Sequence, residues 1–169
     1  MGAAERTPQT GEERQAQALA WALSHVNRRE RTTAEVRAHL ARKGVSEATA
    51  ESVVEELVTQ RLLDDARFAE MFVADKRTLE QWGSERIRRG LAERGVDRDL
   101  AEQALAGGED PGDEDPQAEL DRALELLRRR FPEPPRERRD RDRALAMLLR
   151  KGYESELAVD ALAAHARAA

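Results

Sequence analysis

A helix–glycine–helix pattern that occurs three times is the feature that most constrains the fold of this chain. Three segments align without gaps: VRAHLARKGVSEATAESVV (36–54), IRRGLAERGVDRDLAEQAL (87–105) and ALAMLLRKGYESELAVDAL (144–162). A leucine, a glycine and an alanine hold equivalent positions in all three: Leu40, Leu91 and Leu148; Gly44, Gly95 and Gly152; Ala50, Ala101 and Ala158. A basic residue precedes each glycine, as at helices that end on a left-handed glycine. We therefore predict a positive φ at all three glycines and a helical repeat protein.

A further helical pattern precedes each of these pairs, over residues 14–26, 65–79 and 116–131. Only 4% of the residues are aromatic, whereas 37% are charged, and Ala, Leu, Glu and Arg dominate, which is typical of helices rather than sheets. The sequence predicts an all-α protein of three tandem three-helix repeat units that form an elongated, curved array.

The predicted boundaries follow the changes in composition. We expect a disordered tail at 1–14, the first unit at 15–62, the second at 63–106, an acidic flexible linker at 107–115 and the third unit at 116–169. Thr32 with Glu35 has capping-box spacing, and Ser46, Ser84 and Asp115 are expected to cap later helices. Because the linker has few apolar residues and many like charges, we predict that it is the most mobile internal segment.

The net charge of −5 is unevenly distributed. The linker region GGEDPGDEDP (107–116) holds five carboxylates and no basic residue, whereas RRRFPEPPRERRDRDR (128–143) is rich in arginine. A positive surface is therefore available in the third unit despite the acidic total.

The residues offer little for catalysis or metal binding. The chain has no cysteine, and no nucleotide-binding, hydrolase or metalloprotease motif occurs. We assign His25, His39 and His165 to different units, with no partner at metal-ligand spacing, and expect ordinary surface or half-buried side chains. The pair Asp64 and Asp65 is interpreted as a helix cap. We predict a protein that is not an enzyme and has no cofactor, metal or small-molecule substrate.

The second unit also contains a tryptophan–glycine pair and a group of four cations. Trp82 and Gly83 fall in the break between two predicted helices, where the indole is expected to staple the helices together. Lys76 and Arg77 end one helix, and Arg86 and Arg89 lie three apart on the next. We expect these four cations to form an exposed face that binds a partner or DNA, although a run of charge is usually a solvated surface.

The second unit resembles the RecX regulators of the RecA recombinase. The chain carries LDDARFA and then GSERIRRGLAERGV, similar to the family signature in which an L-D-D-x-R-F-A helix precedes G-x-x-R-I-x-x-E-L-x-x-R-G. Gly90 stands where the family usually has glutamate, and we expect it to weaken its helix by about 1 kcal/mol. Signature residues expected to be mainly structural are Asp64, Asp65, Arg67, Phe68, Gly83, Ile87, Leu91 and Gly95.

The resemblance implies a regulator that binds the RecA filament on single-stranded DNA and inhibits its ATPase, strand exchange and filament growth. The implied processes are recombination, DNA repair and the SOS response. The implied partners are RecA and the single-stranded DNA within the filament. The absence of an apolar leader or a long apolar run further predicts a soluble, cytoplasmic protein that does not associate with a membrane. We also expect a monomer.

Two other functions are compatible with the sequence. Residues 32–65 resemble a helix-turn-helix transcription regulator, but the second helix of that segment contains Glu47, Glu51, Glu55 and Glu56 and no Lys or Arg, so DNA phosphates would repel it. A helical-repeat scaffold is permitted by the repeats but does not explain the signature.

Overall fold

The computed structural model describes residues 10–107 and 116–168, and these residues form nine α-helices and no strand. The helices are α1 (Gly11–Val26), α2 (Thr33–Arg42), α3 (Glu47–Thr59), α4 (Asp65–Thr78), α5 (Ser84–Ala92), α6 (Arg98–Ala106), α7 (Pro116–Arg130), α8 (Arg138–Lys151) and α9 (Ser155–Arg167). The all-α prediction with three helices in each repeat is confirmed. The acidic segment 108–115, which includes the predicted cap Asp115, lies outside the described residues.

The glycine turns between the second and third helix of each repeat are also confirmed. The φ angles are 78° at Gly44, 71° at Gly95 and 90° at Gly152. In each turn the chain then folds back, because the amide of the following residue donates to a carbonyl near the end of the preceding helix, as Val45 N does to Leu40 O at 3.1 Å. A residue with a Cβ is strained at such angles, which explains why glycine recurs at this position.

Helix starts agree with the sequence in part. Thr32 and Glu35 form the predicted capping box, and Ser46 accepts from the amide of Thr49. The first helix begins at Gly11 rather than near Arg14, because Thr10 forms a second capping box that the sequence reading overlooked. The predicted tail therefore contains the first turn of α1.

The chain divides into two compact units, Met1–Phe68 and Ala69–Ala169. In the first unit, α1, α2, α3 and the start of α4 enclose an apolar core whose largest fully buried side chains are Val36, Leu40, Val53, Val54, Leu57 and Leu63. Full burial of each leucine contributes about 1.5–3 kcal/mol relative to exposure. Asp65 joins α4 to α2, since its carboxylate accepts from the Thr33 backbone N at 2.8 Å and from the Thr33 hydroxyl at 2.7 Å.

The second and third three-helix groups share the second compact unit. The backbone amides at the start of α5 donate to acceptors in the third group. Gly83 N donates to Lys151 O at 2.8 Å, Ser84 N to the Glu119 carboxylate at 2.8 Å, and Glu85 N to the carbonyl of the next glycine, Gly152, at 3.2 Å. The first amides of a helix have no partner within the helix, so here the neighbouring group supplies the acceptors.

The α5 cap differs from the prediction because the third group supplies the acceptors that a capping side chain would otherwise provide. Ser84 is the first residue of the helix rather than its cap, and Gly83 occupies the cap position without a side chain to donate or accept. A Cβ built on Gly83 would lie 2.4 Å from the oxygen of Gly152. The two backbones therefore approach more closely than any other residue at position 83 would allow.

Candidate polyanion-binding surface

Lys76 and Arg86, two of the four predicted site residues, converge on one tryptophan. The Lys76 ammonium lies 4.7 Å from the centre of the Trp82 ring, and the Arg86 guanidinium lies 4.0 Å from it. The indole also meets the Phe72 ring edge-on, with centroids 6.4 Å apart. The stapling interpretation of Trp82 is therefore supported, because it joins α4 to α5.

Arg86 also belongs to the junction with the third group. Its guanidinium donates to the backbone carbonyl of Arg150 at 3.0 Å, and the side chain is half-buried. Lys151 donates from Nζ to Glu80 O at 2.6 Å, while Lys76 forms an ion pair with the carboxylate of the same glutamate. The expectation that Arg86 is freely exposed is wrong, since its side chain helps to hold the two groups together.

Arg77 and Arg89 lie elsewhere. The Arg77 guanidinium donates to the carbonyl of Leu105 at 3.0 Å, near the end of α6, and its side chain is half-buried. Arg89 is exposed and borders a cleft between α5 and α6, which is lined by Glu85, Arg88, Arg89, Ala92, Val96, Arg98, Ala101, Glu102 and Glu154. Three cations and three carboxylates balance in that cleft, so it is not a strongly positive surface. The four predicted residues therefore do not form one basic face.

The signature residues lie in helix caps, in an ion pair and in the core. Asp64 caps α4 by accepting from the amide of Arg67 at 2.9 Å, and Arg67 forms an ion pair with Glu30 at 3.4 Å. Phe68 is 9% exposed, and Ile87 and Leu91 are fully buried. Gly83 and Gly95 are required by the close backbone approach and by the turn described above.

Gly90, the departure from the signature, has a packing reason. A Cβ at this position would lie 2.9 Å from the tip of the Phe72 ring. The Arg94 guanidinium lies 4.8 Å from the centre of the same ring and donates to Gly90 O at 2.9 Å. The aromatic ring thus packs directly against the α5 backbone, a contact that offsets the low helix propensity of glycine.

A cluster of positive charge lies along α8. A cleft of about 910 Å³ is lined by Arg130, Phe131, Arg138, Arg139, Asp142, Arg143, Ala146, Met147, Arg150 and Lys151. Six of these residues are cationic, and one is a carboxylate. On α8 they occupy two adjacent rows with a spacing of four residues, which places them on one face of the helix. This periodic arrangement was visible in the sequence, but the arginine-rich region was interpreted only as a positive surface.

Lys151 lines one end of this cleft, close to other charged groups. Burial lowers the pKa of Lys151, and the nearby positive charges of Arg86, Arg130 and Arg129 lower it further, although Glu80 raises it. Cations therefore outnumber the neighbouring carboxylate around Lys151. Such a site attracts anions.

His25 and His39 form a pair that the sequence reading missed. Both belong to the first unit, and their rings stack with centroids 4.1 Å apart. Burial lowers the pKa of each, as do nearby cations, including Arg31 and Arg42. His165 is buried in the third group and contacts Phe131 O at 2.8 Å. Within residues 10–107 and 116–168, no cluster of three or more His, Asp or Glu has the arrangement of a metal site.

Comparison with protein families identifies the three repeats. Models described as the first, second and third three-helix domains of RecX match residues 18–57, 64–105 and 117–162, respectively. The chain belongs to the RecX family. The three groups of helices are therefore three RecX domains, and the family resemblance of the signature is confirmed.

Curated relatives agree over most of the chain. The regulatory protein RecX of Mycobacterium avium (strain 104) is 34% identical over 161 residues, which cover 93% of this chain and 90% of the relative. The regulatory protein RecX of Mycobacterium sp. (strain KMS) is 32% identical over 159 residues, which cover 90% of this chain and 84% of that relative. Membership therefore supports a regulatory role.

Solved RecX structures share the fold. The crystal structure of RecX from Lactobacillus salivarius superposes with a TM-score of 0.78 at 20% identity, covering 94% of this chain and 99% of that one. A crystal structure of regulatory protein RecX gives a TM-score of 0.70 at 25% identity, covering 86% of this chain and 70% of that one. No helix within residues 10–107 and 116–168 is long and apolar enough to cross a bilayer.

Proposed function

We propose that this RecX-family chain binds the RecA filament assembled on single-stranded DNA and inhibits its ATPase activity, strand exchange and filament growth. The observation that carries the proposal is the match of all three RecX domains in order. The relatives are regulatory proteins by name, and the resemblance to RecX regulators supports RecA as the partner. The cellular processes would be recombination, DNA repair and the SOS response. We propose that the protein acts as a monomer in the cytoplasm.

The arrangement of charge supports binding to a filament of protein and nucleic acid. The α8 cleft presents cations to phosphates, whereas α3 presents carboxylates, including those of Glu47 and Glu55, on its exposed side. Complementary charge of both signs accelerates association and fixes orientation. Contacts distributed over several linked domains add avidity without requiring a single tight site.

A regulatory mode without catalysis is consistent with the site chemistry. Three prominent side chains of the second and third domains make structural contacts: Arg86 packs on the Trp82 ring and donates to a backbone carbonyl, and Glu119 accepts from the first amide of α5. We propose that the protein acts by occupying a surface of the filament rather than by transforming a substrate.

RecA turnover provides the main test. ATP hydrolysis by RecA on single-stranded DNA is measured while the protein is titrated to saturation, and co-sedimentation with the filament is measured in parallel. We expect turnover to fall as the protein enters the pellet. Unchanged turnover without co-sedimentation would contradict the proposal.

A single charge reversal tests the predicted second-domain contact. Arg89→Glu alters an exposed side chain, so its effect on stability should remain below about 0.5 kcal/mol. Arg28→Glu, exposed in the first unit, is the matched control. We expect Arg89→Glu to weaken inhibition more than the control, with a difference that shrinks as salt increases. Equal inhibition by both variants would show that Arg89 does not contact the filament. It would not decide the proposed function, which the turnover assay tests.

A helix-turn-helix regulator remains the alternative. The second helix of that motif, α3, forms as predicted, but the Glu51 carboxylate is bound by Arg37 at 2.7 Å, and the next element is the helix α4 rather than a β-wing. A sequence-specific shift of duplex DNA at sub-micromolar concentration, without RecA, would favour that function. The helical-repeat scaffold remains a third candidate and predicts binding to neither RecA nor DNA.

A further inference from the structure

We propose that the arginine-lined cleft on α8 is a binding site for the phosphate backbone of single-stranded nucleic acid, and that it functions without RecA. The proposal extends the proposed function by assigning a nucleic-acid contact to one surface of the third domain. It rests on the geometry of that surface.

The dimensions of the cleft suit a strand rather than a small anion. The lining residues extend along the whole of α8, which has 14 residues. At a rise of about 1.5 Å per residue, the helix is roughly 21 Å long. Phosphates follow one another at about 3.4 Å along each strand of a duplex and lie further apart in an unpaired, extended strand, so a helix of this length can face a few of them.

The cations of the cleft are accessible to a ligand. Arg130, Arg139 and Arg150 are exposed, and none of them forms an ion pair with a carboxylate among the described residues. Arg138 is only loosely paired with Asp142, at 4.0 Å, with 92% of its side chain exposed. Exposed pairs of this kind contribute little to stability. These guanidinium groups can therefore turn towards phosphates at little cost to the fold.

The floor of the cleft favours a single strand over a duplex. Phe131 and Met147 are half-buried between the cationic side chains. Unpaired bases can stack on an aromatic ring, and such stacking tolerates any sequence. In a duplex the bases are already stacked on one another, so they cannot stack on the aromatic ring of this cleft and gain no binding energy from it. The surface is thus expected to prefer unpaired strands without reading their sequence.

The start of α8 adds to the attraction. Glu137, the cap residue, makes no side-chain hydrogen bond to the first turn of the helix. The amides at this end contribute the positive end of the helix dipole beside Arg138 and Arg139, and the Asp140 carboxylate in the first turn, which pairs with Arg143 at 3.5 Å, offsets part of it. At the opposite end, Lys151 donates to the Glu80 carbonyl, and Arg86 of the second domain donates to the Arg150 carbonyl. A strand that follows α8 would thus pass from the third domain towards the second.

The test is binding of a fluorescent oligothymidine of 20 nucleotides to the full chain, without RecA, at 50 and 200 mM salt. If four phosphates are neutralised, the logarithmic salt slope is about −2.8, and affinity should fall roughly 50-fold between these concentrations. The variant is Arg139→Glu with Arg150→Glu, which removes two exposed cations without altering a backbone contact. Its slope should fall to about −1.4, and its affinity at 50 mM should fall at least tenfold.

A matched control separates the cleft from total charge. Arg14→Glu with Arg98→Glu changes the net charge equally, and both residues are exposed near helix starts, where glutamate is tolerated. We expect the control to retain binding within about threefold and the parental salt slope. Melting curves for both variants should match the parent, which confirms that they are folded. Phe131→Leu should weaken binding several-fold while leaving the salt slope unchanged, because it removes stacking and no charge.

Three results would overturn the inference. Equal losses in the cleft and control variants would show that total charge, not the cleft, controls binding. Preference for duplex over single strands would contradict the role of Phe131. A cleft variant that binds oligothymidine normally but co-sediments poorly with RecA filaments would make the cleft a protein-docking surface. In that last case the proposed function stands and only the nucleic-acid assignment fails.

Discussion

Replacing Gly83 with alanine adds one methyl group at the junction between α5 and the third domain. The φ and ψ angles of Gly83, −78° and 166°, are allowed for alanine, so backbone strain is not the issue. The added Cβ would lie 2.4 Å from Gly152 O and 2.6 Å from Tyr153 N. These are backbone atoms in a tight turn and cannot rotate away, so α5 must separate from the third domain.

The loss in free energy of unfolding can be worked out from the hydrogen bonds that this separation breaks. Three amides at the start of α5, those of residues 83 to 85, donate to the third domain. Each bond contributes about 0.5–1.5 kcal/mol net, so their loss destabilises the second compact unit by about 3 kcal/mol. In a chain of this size the melting temperature should fall by roughly 6–12 °C. The contacts of Arg86 and Lys151 across the same junction would weaken further.

Urea unfolding monitored by tryptophan fluorescence measures this loss. Trp82 lies beside the junction, and Trp21→Phe removes the other tryptophan, so the signal then reports the second unit alone. The control is Gly11→Ala in the chain that keeps both tryptophans, so that Trp21 reports the first unit; a Cβ on Gly11 meets nothing within 4 Å, and the control should be neutral or slightly stabilising. A Gly83→Ala protein with the unfolding midpoint of its parent would refute the proposed role of close glycine packing.

Three further perturbations have definite expected outcomes. Gly90→Ala should lack the stabilisation of about 1 kcal/mol that alanine normally gives within a helix, because its Cβ meets a buried aromatic ring; a full gain in urea unfolding would show that the ring moves freely. Phe68→Ala should cost about 3–5 kcal/mol, since the ring is 9% exposed, and a smaller loss in urea unfolding of the chain that keeps both tryptophans would contradict a core role. Because the pKa values of His25 and His39 are lowered on folding, the unfolded chain takes up protons first as pH falls below the ordinary value of 6.5. Stability should therefore be retained above that pH and decline as pH falls towards the folded pKa values; melting temperatures from pH 7.5 to 5.5 should show a smaller decline in a His25→Gln, His39→Gln variant.

The local structure of the repeats was determined by the sequence. Helix periodicity, capping residues such as Thr32 and Ser46, and the glycine turns depend on interactions within a few residues, so they are readable along the chain. The role of Asp64 as a cap follows the same logic. The resemblance of the second unit to RecX also lies in contiguous residues, which is why the family was identifiable before the fold was known.

The tertiary structure decided which charged residues are available for binding. Arg86 and Arg89 are equivalent in the sequence pattern, yet Arg86 binds a carbonyl of the third domain and Arg89 remains exposed. The Gly83 contact and the stacked His25–His39 pair likewise join residues that are distant in sequence. Local propensities carry no information on which surfaces meet when helices pack. Only the packed structure therefore shows that the second and third domains share one compact unit, and that the arginines of α8 line a cleft.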